Sequence, residues 1–305
     1  MIKQNQNSNW PILCYPEMQS TLHLIHMATQ VIGKLKLSQP FEPHWAGVAL
    51  WVTSTGLTSG PIYFKNKSFS IDINFLEHQI QILSSWGIKE MIPVASSSVA
   101  ELTGKILRAL NQMNIDLKIS TIPAEIPNPV PFEQDLEKCI YQPKLAQSWW
   151  QALSQVHRVL QCYHALFRGI SPPVGLMWGT LDLRDVRYQG IQVPITAANS
   201  DFIRKNAMDD AQVEAGWWCG NAAYPNPAFF SFTYPQPSQI ENTKIKPESA
   251  RWEPSLGEFL LDYEPIQKSA DPDGDLLAFF NSTYLAGAER AGWDPNLVTS
   301  GFPER

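Results

Sequence analysis

The sequence predicts an α+β protein, with helices packed on antiparallel sheet and two structurally similar halves in a pseudo-twofold arrangement. Three observations carry this reading. Apolar residues recur at helical spacing near residues 20–37, 97–113, 145–167 and 271–291. Short segments alternate apolar and polar residues, as in FSIDINF (69–75), HQIQIL (78–83) and AFFSFTY (228–234). The elements also come twice in the same order: long helix, proline break, tryptophan strand, further strands, closing helix. Trp51-Val52-Thr53 and Trp178-Gly179-Thr180 occupy equivalent places in that order.

Composition bounds the class. The 305 residues suffice for one large domain or two of ordinary size, with 44% hydrophobic and 17% charged residues. The expected division is an N-terminal half (1–122), a proline-rich crossover (123–143) and a C-terminal half (144–305), which can also form one compact domain. Eleven Trp, 14 Phe and 9 Tyr are many for this length, and aromatic rings fill cores and line ligand pockets alike. The net charge of −6, with no basic run, argues against a nucleic-acid partner. No apolar stretch reaches membrane-span length, and the polar start MIKQNQNSNW lacks the apolar region of a signal peptide. The expected setting is therefore cytoplasmic. Cys14, Cys139, Cys162 and Cys219 fit neither a zinc ribbon nor a disulfide framework, and buried free thiols are expected.

In chain order, residues 1–9 are expected to fray. Ser20 or Thr21 can cap a helix to about Leu37 with Leu22, Ile25, Thr29 and Ile32 on one face, and His23, His26, Gln30 and Lys34 on the rest of the wheel. His44–Thr53 is apolar and β-branched, hence strand-like, followed by a Thr55-Gly56 turn and a short strand at Ile62–Phe64. The segments 69–75 and 78–83 form a hairpin. Ser97 or Ser98 caps a helix to about Met113, and Leu117–Ile122 reads as a strand. Pro123, Pro127, Pro129, Pro131 and Pro143 exclude regular structure across the crossover.

Leu145–Phe167 follows as a helix. Val174–Arg187 reads as one central strand, whose alternation puts Trp178, Thr180, Asp182 and Arg184 on one face. Residues 190–208 are mixed. GWWCG (216–220) reads as a compact aromatic loop, 228–234 and 258–263 as strands, and Asp271 caps a last helix to about Ala291.

Catalytic motifs are missing. There is no G-x-S-x-G elbow, no Walker or G-x-G-x-x-G pattern and no H-E-x-x-H. His23 and His26, with His44 or His78, are the only candidate metal set; a carboxylate partner is not evident, and no metal is assigned. Asp182, Arg184, Asp185 and Arg187 are the densest polar set, suited to gripping an anionic or polar ligand with Arg as a bidentate clamp; the other reading is a solvated strand end with self-neutralising ion pairs.

Six segments follow in order: TLHLIHMATQVIGKLKL, HWAGVALWVTSTGLTSGPI, SPPVGLMWGTLDL, PAFFSFTYPQP, LGEFLLDYE and FFNSTYLAGAERAGWDP. With them the chain resembles a bacterial family catalogued as domain of unknown function 5996, from about Trp10 to Pro295. The resemblance implies a bacterial cytoplasmic protein and no particular activity. Where the family pattern carries a His-Glu pair before the aromatic segment, this chain has Asp210-Ala211.

The sequence supports a small-molecule-binding protein, with or without catalysis, using an aromatic pocket between the halves. The other reading is a non-catalytic interaction or scaffold protein with an aromatic surface. Candidate catalytic residues are His44, Asp182 and Glu214. Candidate ligand-binding residues are Trp51, Trp178, Arg184, Arg187, Trp217 and Trp218, with His23 and Lys34 as weaker candidates. Substrate, cofactor, oligomeric state and enzyme status are left open.

Overall fold

The computed structural model describes residues 10–165, 167–196 and 202–298. The frayed end expected at 1–9 and part of the mixed stretch 190–208 lie outside these residues. The first half comprises α1 (Tyr15–Lys36), β1 (Trp51–Val52), β2 (Gly56–Thr58), β3 (Ile62–Phe64), β4 (Lys67–Asn74), β5 (Gln79–Ser84), β6 (Lys89–Pro93) and α2 (Val99–Gln112). The second comprises α3 (Pro143–His164), β7 (Gly175–Met177), β8 (Asp182–Gln192), α4 (Arg204–Ala207), β9 (Asp210–Trp218), β10 (Ala228–Tyr234), β11 (Arg251–Glu253), β12 (Glu258–Asp262), α5 (Tyr263–Gln267), α6 (Pro272–Arg290) and α7 (Pro295–Val298).

These strands form two antiparallel sheets, ordered β1-β2-β4-β5-β6, with β3 beside β4, and β7-β8-β9-β10-β12-β11. The sheets meet at a seam. Leu50 and Leu176 exchange both backbone hydrogen bonds, at 2.9 and 2.8 Å. Directly opposed residues in an antiparallel pair share a face. One line of partners therefore crosses the molecule: Met91, Gln81, Asp72, Thr58 and Trp51, then Gly175, Arg184, Gly216, Phe230, Leu260 and Arg251. This is the outer face.

The inner face of the first sheet is apolar. Leu57, Ile71, Ile73, Ile80, Ile82 and Ile92 belong to the same core as the buried residues of α1, α2 and α3. Phe75 meets Trp149 of α3 edge-on at 5.6 Å, and Phe229 meets Phe280 of α6 at 6.3 Å. The alternation in FSIDINF thus separates apolar helix-facing from polar outward residues, as a half-buried strand requires; in AFFSFTY it is inverted beyond Phe229, with Ser231 and Thr233 on the helix side and Phe230 and Phe232 outward.

Helix α1 holds the halves together, which explains why its wheel is not simply two-sided. Two polar positions on the rest of its wheel, His26 and Gln30, are used as internal clamps. Gln30 donates to the carbonyls of Ala124 (2.8 Å) and Gly179 (3.1 Å) and accepts from the Ala124 amide. His26 Nε2 lies 2.9 Å from the Gly179 carbonyl and 3.1 Å from that of Trp178. Burial pushes the His26 pKa down to about 4, so the ring is neutral and Nε2–H donates. The Trp178 ring sits directly on Gly33, where a Cβ would lie 2.2 Å from ring carbons. Glycine there lets indole and helix backbone touch.

Several sequence expectations are corrected. The strand expected over 44–53 is a 3-10 turn at Pro43–Val48, with His44 and Trp45 in the left-handed region at φ 62° and 58°, and only Trp51–Val52 is strand. A short apolar run cannot by itself distinguish strand from turn, and Pro43 and Gly47 favour the turn. Residues 117–122 are irregular rather than a strand. Val174–Arg187 is two strands joined by a reversal at 178–181, with Leu181 at φ 61°. GWWCG is the end of β9 and not a loop until Cys219. Strands β6 and β11 carried no alternation strong enough to be read. All four cysteines are free, but Cys14 and Cys162 are exposed, and only Cys139 and Cys219 are buried. Ser98 and Asp271 do cap α2 and α6, accepting from the amides of Glu101 and Gly274.

Candidate functional site

The reversal at 178–181 starts β8 with Asp182 on the outer face, followed by Arg184, Val186 and Tyr188. Leu183, Asp185 and Arg187 alternate inward. On β9 the same rule puts Glu214, Gly216 and Trp218 outward and Ala215 and Trp217 inward. The outer face of the second sheet thereby collects ionisable groups. Arg184 Nη1 donates to Glu214 Oε2 at 2.6 Å, with both residues buried. Asp182 begins the same row and takes a hydrogen bond from Thr180. Glu258 alternates with Leu260 and so lies on this face of β12. Gly216 lies opposite Arg184; a Cβ there would come within 2.6 Å of the Phe230 ring. Its absence lets that ring lie across the strand, stacked with Phe232 at 6.4 Å and beside Trp218 at 5.9 Å.

The electrostatics follow from enclosure. Burial raises the Asp182 carboxyl well above the ordinary carboxylate range, Glu214 raises it further, and Arg184 offsets this only in part. Burial, with Glu214 second, raises Glu258 to about 7. Burial opposes the charge on Arg184, but Glu214, Tyr188 and Asp182 together raise its pKa above the usual value. The Tyr188 hydroxyl is raised, chiefly by burial. The face thus holds a fixed ion pair flanked by two carboxyls whose pKa burial raises, that of Glu258 to about 7. Such groups can donate and recover protons.

His44 lies at the other end of the row. Its Nε2 is 2.7 Å from Asp210 Oδ2, and its ring lies tilted against Tyr188 at 4.1 Å between centroids. Asp182 and Tyr188 are six residues apart on β8, roughly 20 Å at strand rise. His44 and Asp182 therefore do not meet, although Tyr188 and Arg184 bridge them. Trp51 does join the row: its ring packs over Gly175, the residue opposite Arg184, with the Lys36 ammonium 5.1 Å from the ring centroid. A cavity of about 10 Å³ beside Arg184 is lined by Trp45, Pro172 and Met177. It has room for about one water molecule.

Three sequence candidates sit elsewhere. Trp178 packs inward on α1, not beside Asp182, because the reversal breaks the alternation. Trp217 is fully buried on the inner face against Tyr263. Arg187 is enclosed under α3 and α6, its guanidinium 3.6 Å from the Tyr163 ring centroid and 4.2 Å from that of Tyr284, donating to the Tyr163 carbonyl. Asp185 points the same way and pairs with His164 at 2.5 Å. The four histidines of the candidate metal set are dispersed: His23 pairs with Asp135, His26 with backbone carbonyls, His44 with Asp210 and His78 with Tyr141. Among the described residues, no three His, Cys, Asp or Glu side chains converge to hold a metal ion. Lys34 lies 5.7 Å from the Trp178 ring centroid, and burial lowers its pKa.

Sequence reasoning missed Tyr188 and Glu258, and singled out Asp210 only as standing at the place of the family's His-Glu pair. The alternation in GEFLLDYE could have placed Glu258 with Leu260 on one face, but the pairing that brings β12 next to β10 has no local signal. Among the described residues, no helix is long and apolar enough to cross a membrane.

Fold and site define an α+β protein whose joined antiparallel sheets carry helices on one face and a partly enclosed ionisable row on the other. The chain belongs to the family of unknown function DUF5996, matched over residues 10–300, nearly its whole length. No curated protein and no solved structure matches it.

Proposed function

We propose that the protein binds a small polar molecule at the outer face of the second sheet and exchanges protons with it. What carries this reading is the pair of raised carboxyls, Asp182 and Glu258, flanking the buried Arg184–Glu214 ion pair. A buried ion pair is seldom worth its desolvation as a stabilising device. Several such groups on one face, with two shifted towards neutrality, mark a site more often than a core. Trp51, Trp218 and Phe230 supply apolar walls along the row, and residues 43–48 of the first half close its far end at Tyr188. In this role Arg184 orients an oxygen-bearing ligand, and Asp182 and Glu258 act as acids.

The test compares wild type with Asp182→Asn. The amide has the size and neutrality of the protonated carboxyl, so the fold should tolerate it. Small carboxylic acids and their amides are screened by ligand-observed NMR and thermal shift. A ligand that stabilises wild type but not the variant, at unchanged melting temperature of the free proteins, supports the site. Loss of stability with binding intact refutes it.

A second reading, an interaction surface, is favoured by a different observation. Phe41 and Phe202 are exposed and meet Trp45 at 6.4 and 5.5 Å. Light scattering on a Phe41→Ser/Phe202→Ser variant separates the two readings, because only an interaction surface would change association without affecting ligand binding.

A further inference from the structure

A second opening lies on the other side of the sheet from Arg184. It is a groove of about 470 Å³ between the β1–β2 turn of the first half and helix α3 of the second. Val52, Thr53 and Ser54 form one wall; Trp150, Gln151, Ser154, Gln155 and His157 form the other. This volume lies within the range of small-molecule sites. None of these residues carries a fixed charge, which sets the groove apart from the ionisable outer face. Burial lowers the His157 pKa, so its imidazole stays neutral at pH 7. Trp150 is only partly buried, yet its Nε1 is enclosed, so the part it exposes is ring carbon. The Ser154 hydroxyl is enclosed in the same wall without a hydrogen-bond partner. Gln155 spends its carbonyl oxygen on Arg158 and keeps its amide N–H groups for another partner. An apolar ring, side-chain amides and hydroxyls, and no charge together fit one chemistry: a molecule with a flat C–H face and neutral hydroxyl groups at its rim.

We propose that this groove binds a neutral sugar, its pyranose C–H face against Trp150 and its hydroxyls bonded to Gln151 and Gln155. A charged ligand would gain little there, because no charge lines the walls and Arg158, which holds Gln155, is already paired with Asp273. The proposal is independent of the outer-face site, since the two openings lie on opposite faces and share no residue.

The experiment is a saturation-transfer NMR titration of the full chain with methyl α-D-glucopyranoside and methyl β-D-galactopyranoside, with glucuronate as the charged control. At least one neutral glycoside should bind wild type, with saturation strongest on the pyranose C–H protons. The double variant Gln151→Ala/Gln155→Ala should weaken it at least about tenfold, the effect of losing one or two hydrogen bonds. Both changes lie on the solvent side of α3, so folding should survive; the variant's circular dichroism and melting temperature check this. Trp150→Leu should likewise abolish saturation of the C–H protons. The proposal is overturned if neither glycoside binds at tens of millimolar, if the double variant binds as wild type does, or if glucuronate binds as tightly as the neutral sugars. Loss of glycoside binding in Asp182→Asn would place the sugar on the outer face and also overturn it.

Discussion

The outer faces of the two sheets are built on one plan and meet opposite fates. On the first sheet, Ser70, Asp72, Gln79, Gln81 and Lys89 keep contact with solvent, and Met91 is 47% exposed. On the second, Arg184, Tyr188, Gln212 and Glu214 are buried. The strands themselves alternate alike in both. What differs is the cover. The turn at residues 43–48 brings His44 over Tyr188 and Trp45 beside Arg184, and the carbonyl of Ala207 at the end of α4 takes a hydrogen bond from Gln212. A polar sheet face open to water costs little, whereas the same residues under cover must pair with one another or keep their protons. The charge pattern of the second sheet is therefore a consequence of its lid, and the raised carboxyls mark where pairing is incomplete.

The largest effect should come from breaking the ion pair. Glu214→Ala leaves a buried guanidinium without its partner and should cost about 3–5 kcal/mol in urea unfolding, while Asp72→Ala on the first sheet, a half-buried carboxyl with one hydrogen bond from Thr58, should cost about 1 kcal/mol. Replacing the pair together, as Arg184→Met/Glu214→Leu, should recover most of that loss. Equal costs for the two single variants would erase the distinction between the faces.

The seam offers the next test. The folded pKa of His26, about 4, lies below that of a free imidazole, so its contribution is complete above pH 6.5 and declines as pH falls towards 4. The loss amounts to up to about 3 kcal/mol. His26→Gln, which still carries an amide donor for the Gly179 carbonyl, should flatten the acid limb of a stability profile. An unchanged limb would assign that limb to other groups.

Glu258 should behave in the opposite sense. Its folded pKa of about 7 lies above the ordinary value of 4.5, so stability is full when it is protonated and falls as pH rises from about 4.5 to 7. Allowing for its partial exposure, about 2 kcal/mol is expected. Glu258→Gln should gain stability over wild type at pH 8 and match it near pH 4. A carboxyl on the first sheet, treated the same way, should shift the profile less.

The last expectation concerns descent rather than energy. Superposing α1 on α3 and α2 on α6 in a crystal structure should bring β1, β2, β4, β5 and β6 onto β7, β8, β9, β10 and β12. Failure of the strands to follow the helices would leave the repeated order of elements as coincidence.

The sequence by itself determined the α+β class, the helices α2 and α6 with their Ser98 and Asp271 caps, and the strands β3, β4, β5, β10 and β12. Each rests on a period or a cap that acts within a few residues. It also singled out Asp182, Arg184 and Glu214, because charges in an otherwise apolar run stand out. Only the tertiary structure decided which charges share a face. A reversal at Leu181 sends Trp178 under α1 while Asp182 points outward, and a one-residue step separates Arg184 from Asp185 and Trp217 from Trp218. The cover over Tyr188 comes from residues more than a hundred positions earlier, and the partner strand of Glu258 is fixed by sheet order. Such placements depend on pairing between distant strands, which leaves no trace in local periodicity.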